Sequence, residues 1–134
     1  MNNIVSFETT KLLRENGFPQ PKPETGQYWY NESGALSFIG RRETNESGGD
    51  DLFYCTSVQS GRTDLFVPKL DDAFFAPTPT DILRELPGHN LAFATENGWH
   101  CFFEGIDGVI YSQSNHKDNP AEAAALAYLE MKQQ

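Results

Sequence analysis

The spacing of apolar positions changes period several times along the chain, and each change marks an element. Ser6-Phe-Glu-Thr-Thr-Lys-Leu-Leu-Arg-Glu-Asn-Gly17 reads as a short amphipathic helix. Ser6 supplies an N-cap oxygen, Glu8 lies favourably in the first turn, Phe7, Leu12 and Leu13 form the apolar side, and Gly17 ends it. Phe18-Pro-Gln-Pro-Lys-Pro23 then excludes helix, because each proline fixes its own φ and restricts the residue before it. An extended connector is expected there.

The next apolar runs are short and β-prone. Gln27-Tyr-Trp-Tyr30 and Ala35-Leu-Ser-Phe-Ile39 flank Asn-Glu-Ser-Gly, which predicts a hairpin with a four-residue loop. Arg41 to Asp51 has no aliphatic residue and carries Gly48-Gly49, the composition of a mobile surface loop. Leu52 to Val58 and Thr63 to Val67, around Gln59-Ser-Gly-Arg62, predict a second hairpin. Its β-branched and aromatic residues fit a pleated, half-buried surface.

The stretch FAPTPTDILRELPG, residues 75–88, follows. It places Thr78 at an N-cap, Pro79 at the first helical position and Asp81 three residues after the cap, with Ile82, Leu83 and Leu86 on one face and Pro87-Gly88 as the stop. Cap chemistry therefore accounts for this motif without a functional role. Leu91 to Glu104 reads as a hairpin around Asn97-Gly98, a dipeptide suited to a two-residue type I′ turn, which would set Glu96 opposite Trp99 and Phe93 opposite Phe102. Val109-Ile-Tyr111 is the expected third strand of this meander. The last helix runs from Pro120 to about Lys132, capped by Asn119 with Glu122 at its third position. Its five alanines, with Leu126, Tyr128, Leu129 and Met131, form a broad apolar surface that requires burial against a sheet, with Leu129 in the contact.

These elements add up to an α+β fold: an antiparallel sheet built of hairpins, helices at both termini, and a short helix before the last meander. At 134 residues, one globular domain spanning 1–134 is expected, and 38% hydrophobic residues suffice for a core.

Charge narrows the partners. Ten Lys plus Arg against nineteen Asp plus Glu leave a net charge of −9, which repels phosphate backbones and disfavours direct nucleic-acid binding. No run is long and apolar enough to span a bilayer, and the N-terminus lacks a secretion-signal pattern, so a cytoplasmic protein without membrane contact is expected. Cys55 and Cys101 then read as free, buried thiols.

Candidate chemistry is sparse. His100 and Cys101 are adjacent, yet neighbours in a strand point to opposite faces, so they do not form a thiol–imidazole pair. His89, His100 and His116 show no metal spacing, and residues 45–51 lack the ligand order of a calcium loop. Dinucleotide, P-loop and hydrolase-elbow motifs are missing, so no cofactor, metal or catalytic residue is assigned. The remaining functional candidate is an aromatic patch of Tyr28, Trp29, Tyr30, Phe74 and Phe75 that would bind a protein partner. Edge strands and the aromatic content also make a homodimer compatible with the sequence.

Three segments carry a resemblance: Val5-Ser-Phe-Glu-Thr-Thr-Lys-Leu-Leu-Arg-Glu-Asn-Gly-Phe-Pro-Gln-Pro21, Ala76-Pro-Thr-Pro-Thr-Asp-Ile-Leu-Arg-Glu-Leu86 and Asn119-Pro-Ala-Glu-Ala-Ala-Ala-Leu-Ala-Tyr-Leu-Glu130. In order and spacing they are similar to a class of small uncharacterised proteins of bacteriophages, prophages and gut Bacteroidetes that carry a domain of unknown function. The resemblance implies a bacterial or phage setting and no particular activity, while Arg41 to Asp72 departs from the class. The expected function is that of a small intracellular accessory or protein-interaction module. The alternatives are an acidic, nucleic-acid-mimicking inhibitor of a host protein, or a small enzyme with an unrecognised site.

Overall fold

The computed structural model describes residues 4–43, 52–66, 72–88, 90–104, 107–116 and 119–133. In chain order its elements are α1 (Phe7–Glu15), β1 (Tyr28–Tyr30), β2 (Leu36–Glu43), β3 (Leu52–Ser57), β4 (Thr63–Phe66) and β5 (Phe74–Ala76), followed by α2 (Pro79–Leu83), β6 (Asn90–Thr95), β7 (Gly98–Glu104), β8 (Ile110–His116) and α3 (Pro120–Lys132). The fold is α+β with helices at both ends. Its strands make two antiparallel sheets, of order β4-β3-β2-β1-β5 and β6-β7-β8, where the hairpin pattern alone suggested one. The larger sheet belongs to a compact unit of Pro19–Ala76, and the smaller to a unit of Met1–Phe18 with Pro77–Gln134.

In the Pro19–Ala76 unit, local side chains shape both the connector and the turns. Gln27 accepts from the Glu24 N–H (2.9 Å) and donates to the Lys22 carbonyl (3.1 Å), tying down the extended proline segment. The first hairpin loop runs from Asn31 to Ala35, one residue longer than the expected Asn-Glu-Ser-Gly, because Asn31 Oδ1 accepts from the N–H groups of both Ser33 (2.9 Å) and Ala35 (3.0 Å) and so replaces missing ladder bonds. β2 continues through Arg41–Glu43, residues expected to begin the loop; the rest of that loop, 44–51, lies outside the described residues. The β2–β3 ladder shifts register between Ile39 and Arg42. Gly40 sits in this bulge, and a Cβ there would stand 2.9 Å from the Tyr54 carbonyl oxygen, a contact that only glycine avoids.

In the other unit, α3 packs on β6, β7 and β8 and also contacts α1 and α2. Ala121, Ala123, Ala124, Ala125, Ala127 and Tyr128 are buried, so the helix is enclosed nearly all round and the short side chains set the distance of approach. Leu129 is only half-buried, and Tyr128 instead meets Phe18 edge to face at 5.0 Å. α2 has the reciprocal cap that its sequence predicts: Thr78 Oγ1 accepts from the Asp81 N–H (3.2 Å), and Asp81 accepts from the Thr78 N–H (2.9 Å).

The β6–β7 hairpin departs from its expected register. Thr95 pairs with Gly98 and Phe93 with His100, a slip of two residues from the Asn97-Gly98 turn. The reason lies in Thr95, whose hydroxyl accepts from the Asn97 N–H (3.2 Å) and donates to the Gly98 carbonyl (3.3 Å), so that Glu96-Asn97 forms the turn. Gly98, at φ 119°, enters the strand in a conformation open to glycine. A slip of two leaves every side chain on its expected face. Cys101 and Phe103 are fully buried, and the half-buried His100 lies on the opposite face of the sheet.

Helices α1 and α3 meet at one carboxylate. Ser6 caps α1, its Oγ accepting from the Thr9 N–H at 3.3 Å, but Thr9 occupies the third position and has no carboxylate to accept the Ser6 N–H. Glu122, in the first turn of α3 and 4% exposed, takes that role: one oxygen accepts from the Ser6 N–H, the other from Thr9 Oγ1 at 2.9 Å. Asn119 caps α3 and donates to the Ile4 carbonyl at 2.8 Å. The buried side of α1 is Thr10 and Leu13, while Leu12, expected on the apolar face, is exposed. The Thr10 hydroxyl oxygen is buried without a hydrogen-bond partner among the described residues.

Two substitutions test this arrangement by urea unfolding. Glu122→Ala strands the Ser6 N–H and is expected to lower stability by about 2 kcal/mol or more, with Glu122→Gln losing less because it keeps one acceptor oxygen. An unchanged midpoint in the alanine variant would refute the shared cap. Thr10→Val keeps the branched shape, removes the orphaned hydroxyl and is expected to raise stability by about 1 kcal/mol; a lower midpoint would show that the hydroxyl is satisfied after all.

Candidate interaction surface

Strand alternation divides the five aromatic residues singled out in the sequence. All five come together on the paired strands β1 and β5, where Trp29 lies opposite Phe75 and Tyr30 opposite Phe74. Trp29 and Phe75 share one face, their ring centroids 5.4 Å apart, and both are buried with Ile39, Phe53 and Cys55. The Trp29 indole N–H donates to Gln27 Oε1 at 2.9 Å, so the ring is satisfied within its own unit. These two side chains are core. Tyr28, Tyr30 and Phe74 point to the other face, where Tyr30 is buried and Tyr28 and Phe74 keep part of their surface in solvent.

That second face extends across the sheet. Tyr28 stacks at a tilt on its cross-strand partner Phe38, centroids 5.1 Å apart, and Phe38 faces Thr56 on β3. Two residues before Thr56 lies Tyr54, opposite Leu65 of β4, which is 45% exposed. Thr56 and Thr63 join hydroxyls at 2.8 Å. The Arg41 guanidinium lies 4.8 Å from the Tyr54 ring centroid and 2.7 Å from Glu43 Oε1. Its pKa is raised above the ordinary arginine value, first by a hydrogen bond to Tyr54 and then by the Glu43 charge. The result is a face of three half-buried rings, Tyr28, Phe38 and Tyr54, with a cation at one margin and an exposed leucine at another. Phe38 and Tyr54 do not stand out in the sequence, although the two-residue period of each hairpin strand pairs Phe38 with Tyr28 once the loop length is known.

The edges of this sheet are occupied differently. At β5 the Phe75 N–H, turned away from β1, donates to Gln20 Oε1 at 3.0 Å, so a side chain from the connector takes the place of another strand. At β4 an exposed pair joins Asp64 to Arg62, the residue before the strand, with Arg62 Nε 3.2 Å from Asp64 Oδ2. Charges of this kind discourage edge-to-edge pairing.

Other chemistry is muted. Burial raises the thiols of Cys55 and Cys101 to about 11, against an ordinary value of 9.0. Both are therefore poor nucleophiles near neutrality. His100 stacks on Phe93 at 5.4 Å with an interplanar angle of 17°, and its Nε2 lies 3.0 Å from Thr95 Oγ1. Among the described residues there is no group of three or more side chains suited to hold a metal ion, and no helix is long and apolar enough to cross a membrane. Comparison with protein-family models gives no match, and neither the curated proteins nor the solved structures give one.

The thiol shifts set a pH dependence. In the unfolded chain the thiols ionise near 9.0, whereas in the fold they hold their protons to about 11, so the fold binds protons more tightly. Their contribution to stability is complete below 9.0 and is lost as pH rises towards about 11. The urea midpoint is expected to fall across that window, and less so in a Cys55→Ala/Cys101→Ala variant; equal slopes in the two proteins would show that the thiols titrate normally.

Proposed function

We propose that this chain is a small accessory module that acts by binding another protein through the open face of its larger sheet. The observation that carries this reading is the row of Tyr28, Phe38 and Tyr54 left half-buried on a sheet whose opposite face is filled by Trp29, Ile39, Phe53, Cys55 and Phe75. Tyr and Arg are the residue types most often found at the energetic centre of protein interfaces, because they supply large contact area with few rotors and keep a polar handle. Arg41 above Tyr54 fits that pattern. The net charge of −9 favours a protein surface over a nucleic acid as the occupant. An intracellular setting in bacteria or their phages, as the resemblance implies, belongs to the same proposal.

An enzymatic reading draws less support, since both thiols are held neutral by burial. The acidic-mimic reading rests on net charge alone and separates from the leading one by its salt dependence.

The test is affinity capture from bacterial lysate at low and high salt, comparing the native chain with Tyr28→Ser/Tyr54→Ser on the proposed face and with Phe93→Ser on the smaller sheet. A partner that survives high salt and binds about tenfold or more weakly to the Tyr28/Tyr54 variant alone is the expected result. Capture that is indifferent to the Tyr28/Tyr54 change, or that vanishes with salt, would overturn it. Retention of the unfolding midpoint in each variant separates lost binding from lost fold.

A further inference from the structure

The tripeptide Glu-Asn-Gly occurs twice, as Glu15-Asn16-Gly17 after α1 and as Glu96-Asn97-Gly98 at the β6–β7 turn. Asparagine followed by glycine is the sequence most prone to spontaneous deamidation, because no Cβ shields the attacking backbone nitrogen. We propose that Asn97 is a site of deamidation and isoaspartate formation, while the fold protects Asn16 within the same tripeptide.

The two asparagines differ in what holds their reacting groups. Asn16 Nδ2 donates to the Leu12 carbonyl at 2.8 Å, and the Gly17 N–H donates to the Arg14 carbonyl at 3.1 Å. Both the leaving group and the nucleophile are therefore engaged, and reaction requires breaking two hydrogen bonds. Asn97 is exposed, and among the described residues its side-chain amide has no hydrogen bond. The turn is held instead through Thr95, whose hydroxyl binds the Asn97 backbone N–H and the Gly98 carbonyl, so the amide is free to rotate toward the next nitrogen.

The chemistry balances with water alone. The Gly98 nitrogen loses its proton and bonds to Asn97 Cγ, the Cγ–Nδ2 bond breaks, and Nδ2 takes up a proton and leaves as ammonia. The resulting five-membered imide adds water at one of its two carbonyls. Breaking the bond from the Gly98 nitrogen to Cγ yields aspartate; breaking the bond to the Asn97 backbone carbon yields isoaspartate. Either product adds a negative charge to the turn, and isoaspartate also inserts a methylene into the main chain of a two-residue turn. That insertion acts on the register that opposes Thr95 to Gly98 and Phe93 to His100. Ladder pairing at Gly98 restrains the nitrogen, so the reaction is slower in the fold than in the unfolded chain.

The full chain is incubated at mildly alkaline pH, folded and in urea, and the asparagine, aspartate and isoaspartate forms of each tripeptide are followed by peptide mass mapping with backbone fragmentation. In the folded chain Asn97 is expected to convert at least about fivefold faster than Asn16, the factor that a single net hydrogen bond is worth. In urea the two sites are expected to converge, since their local sequence is the same. Equal folded rates, faster conversion at Asn16, or a preference that persists unchanged in urea would each overturn the proposal.

Discussion

One carboxylate joins the two ends of the chain. α1 has nine residues, too few to hold a helix by propensity alone, and its position depends on what its first turn and its buried side can reach. Glu122 supplies an acceptor for the Ser6 N–H across a sequence separation of 116, and Asn119 fastens the Ile4 carbonyl beside it. Because Glu122 also lies in the first turn of α3, the positive ends of two helix dipoles converge on a single negative charge. Leu13, Val5 and Phe18 are buried once this contact is made, so polar pairing at the helix starts and apolar burial further along reinforce one another.

The local half of this arrangement was legible in the sequence and the tertiary half was not. Ser6, Thr78 and Asn119 announce helix starts through side-chain oxygens that act within a few residues, and all three caps form. Glu122 read as a favourable charge in its own helix. That it serves a second helix is a matter of three-dimensional proximity, which no spacing rule encodes. The alanines of α3 likewise announced burial, but not that Tyr128 would be enclosed while Leu129 stays half-exposed, since a helix surrounded on most sides has no single apolar stripe to read.

The hairpin at Asn97-Gly98 shows how a short-range rule can be outweighed by a neighbouring side chain. The dipeptide favours a type I′ turn, yet the Thr95 hydroxyl satisfies two backbone groups when the turn begins one residue earlier and Gly98 is drawn into the strand. Faces survive this slip because the pleat has a period of two. The division of strands between two sheets was harder to see. β5 is three residues long and pairs with β1 across more than forty positions, and a contact of that kind leaves no local pattern.

The candidate surface follows from the same period. Tyr28-Trp29-Tyr30 looks like one aromatic cluster in the sequence, but alternation sends its central ring to one face and its flanking rings to the other, where Tyr30 is buried and Tyr28 keeps part of its surface in solvent. The second face gains members from other strands, Phe38 from β2 and Tyr54 from β3, each fixed by a backbone already committed to the ladder. Gly40 adds to this, because the bulge it allows brings β2 close to the Tyr54 carbonyl, and the following residue, Arg41, lies over the Tyr54 ring. Rings held in this way have little rotamer freedom left to lose on association, so a flat, partly aromatic face on a rigid sheet gains more from a partner than the same residues would on a loop. The two faces are thus consequences of one constraint: alternate residues of β1, β2 and β3 fill one face, and those between them fall on the other, where Tyr28, Phe38 and Tyr54 keep part of their surface in solvent while Tyr30 and Leu36 are buried.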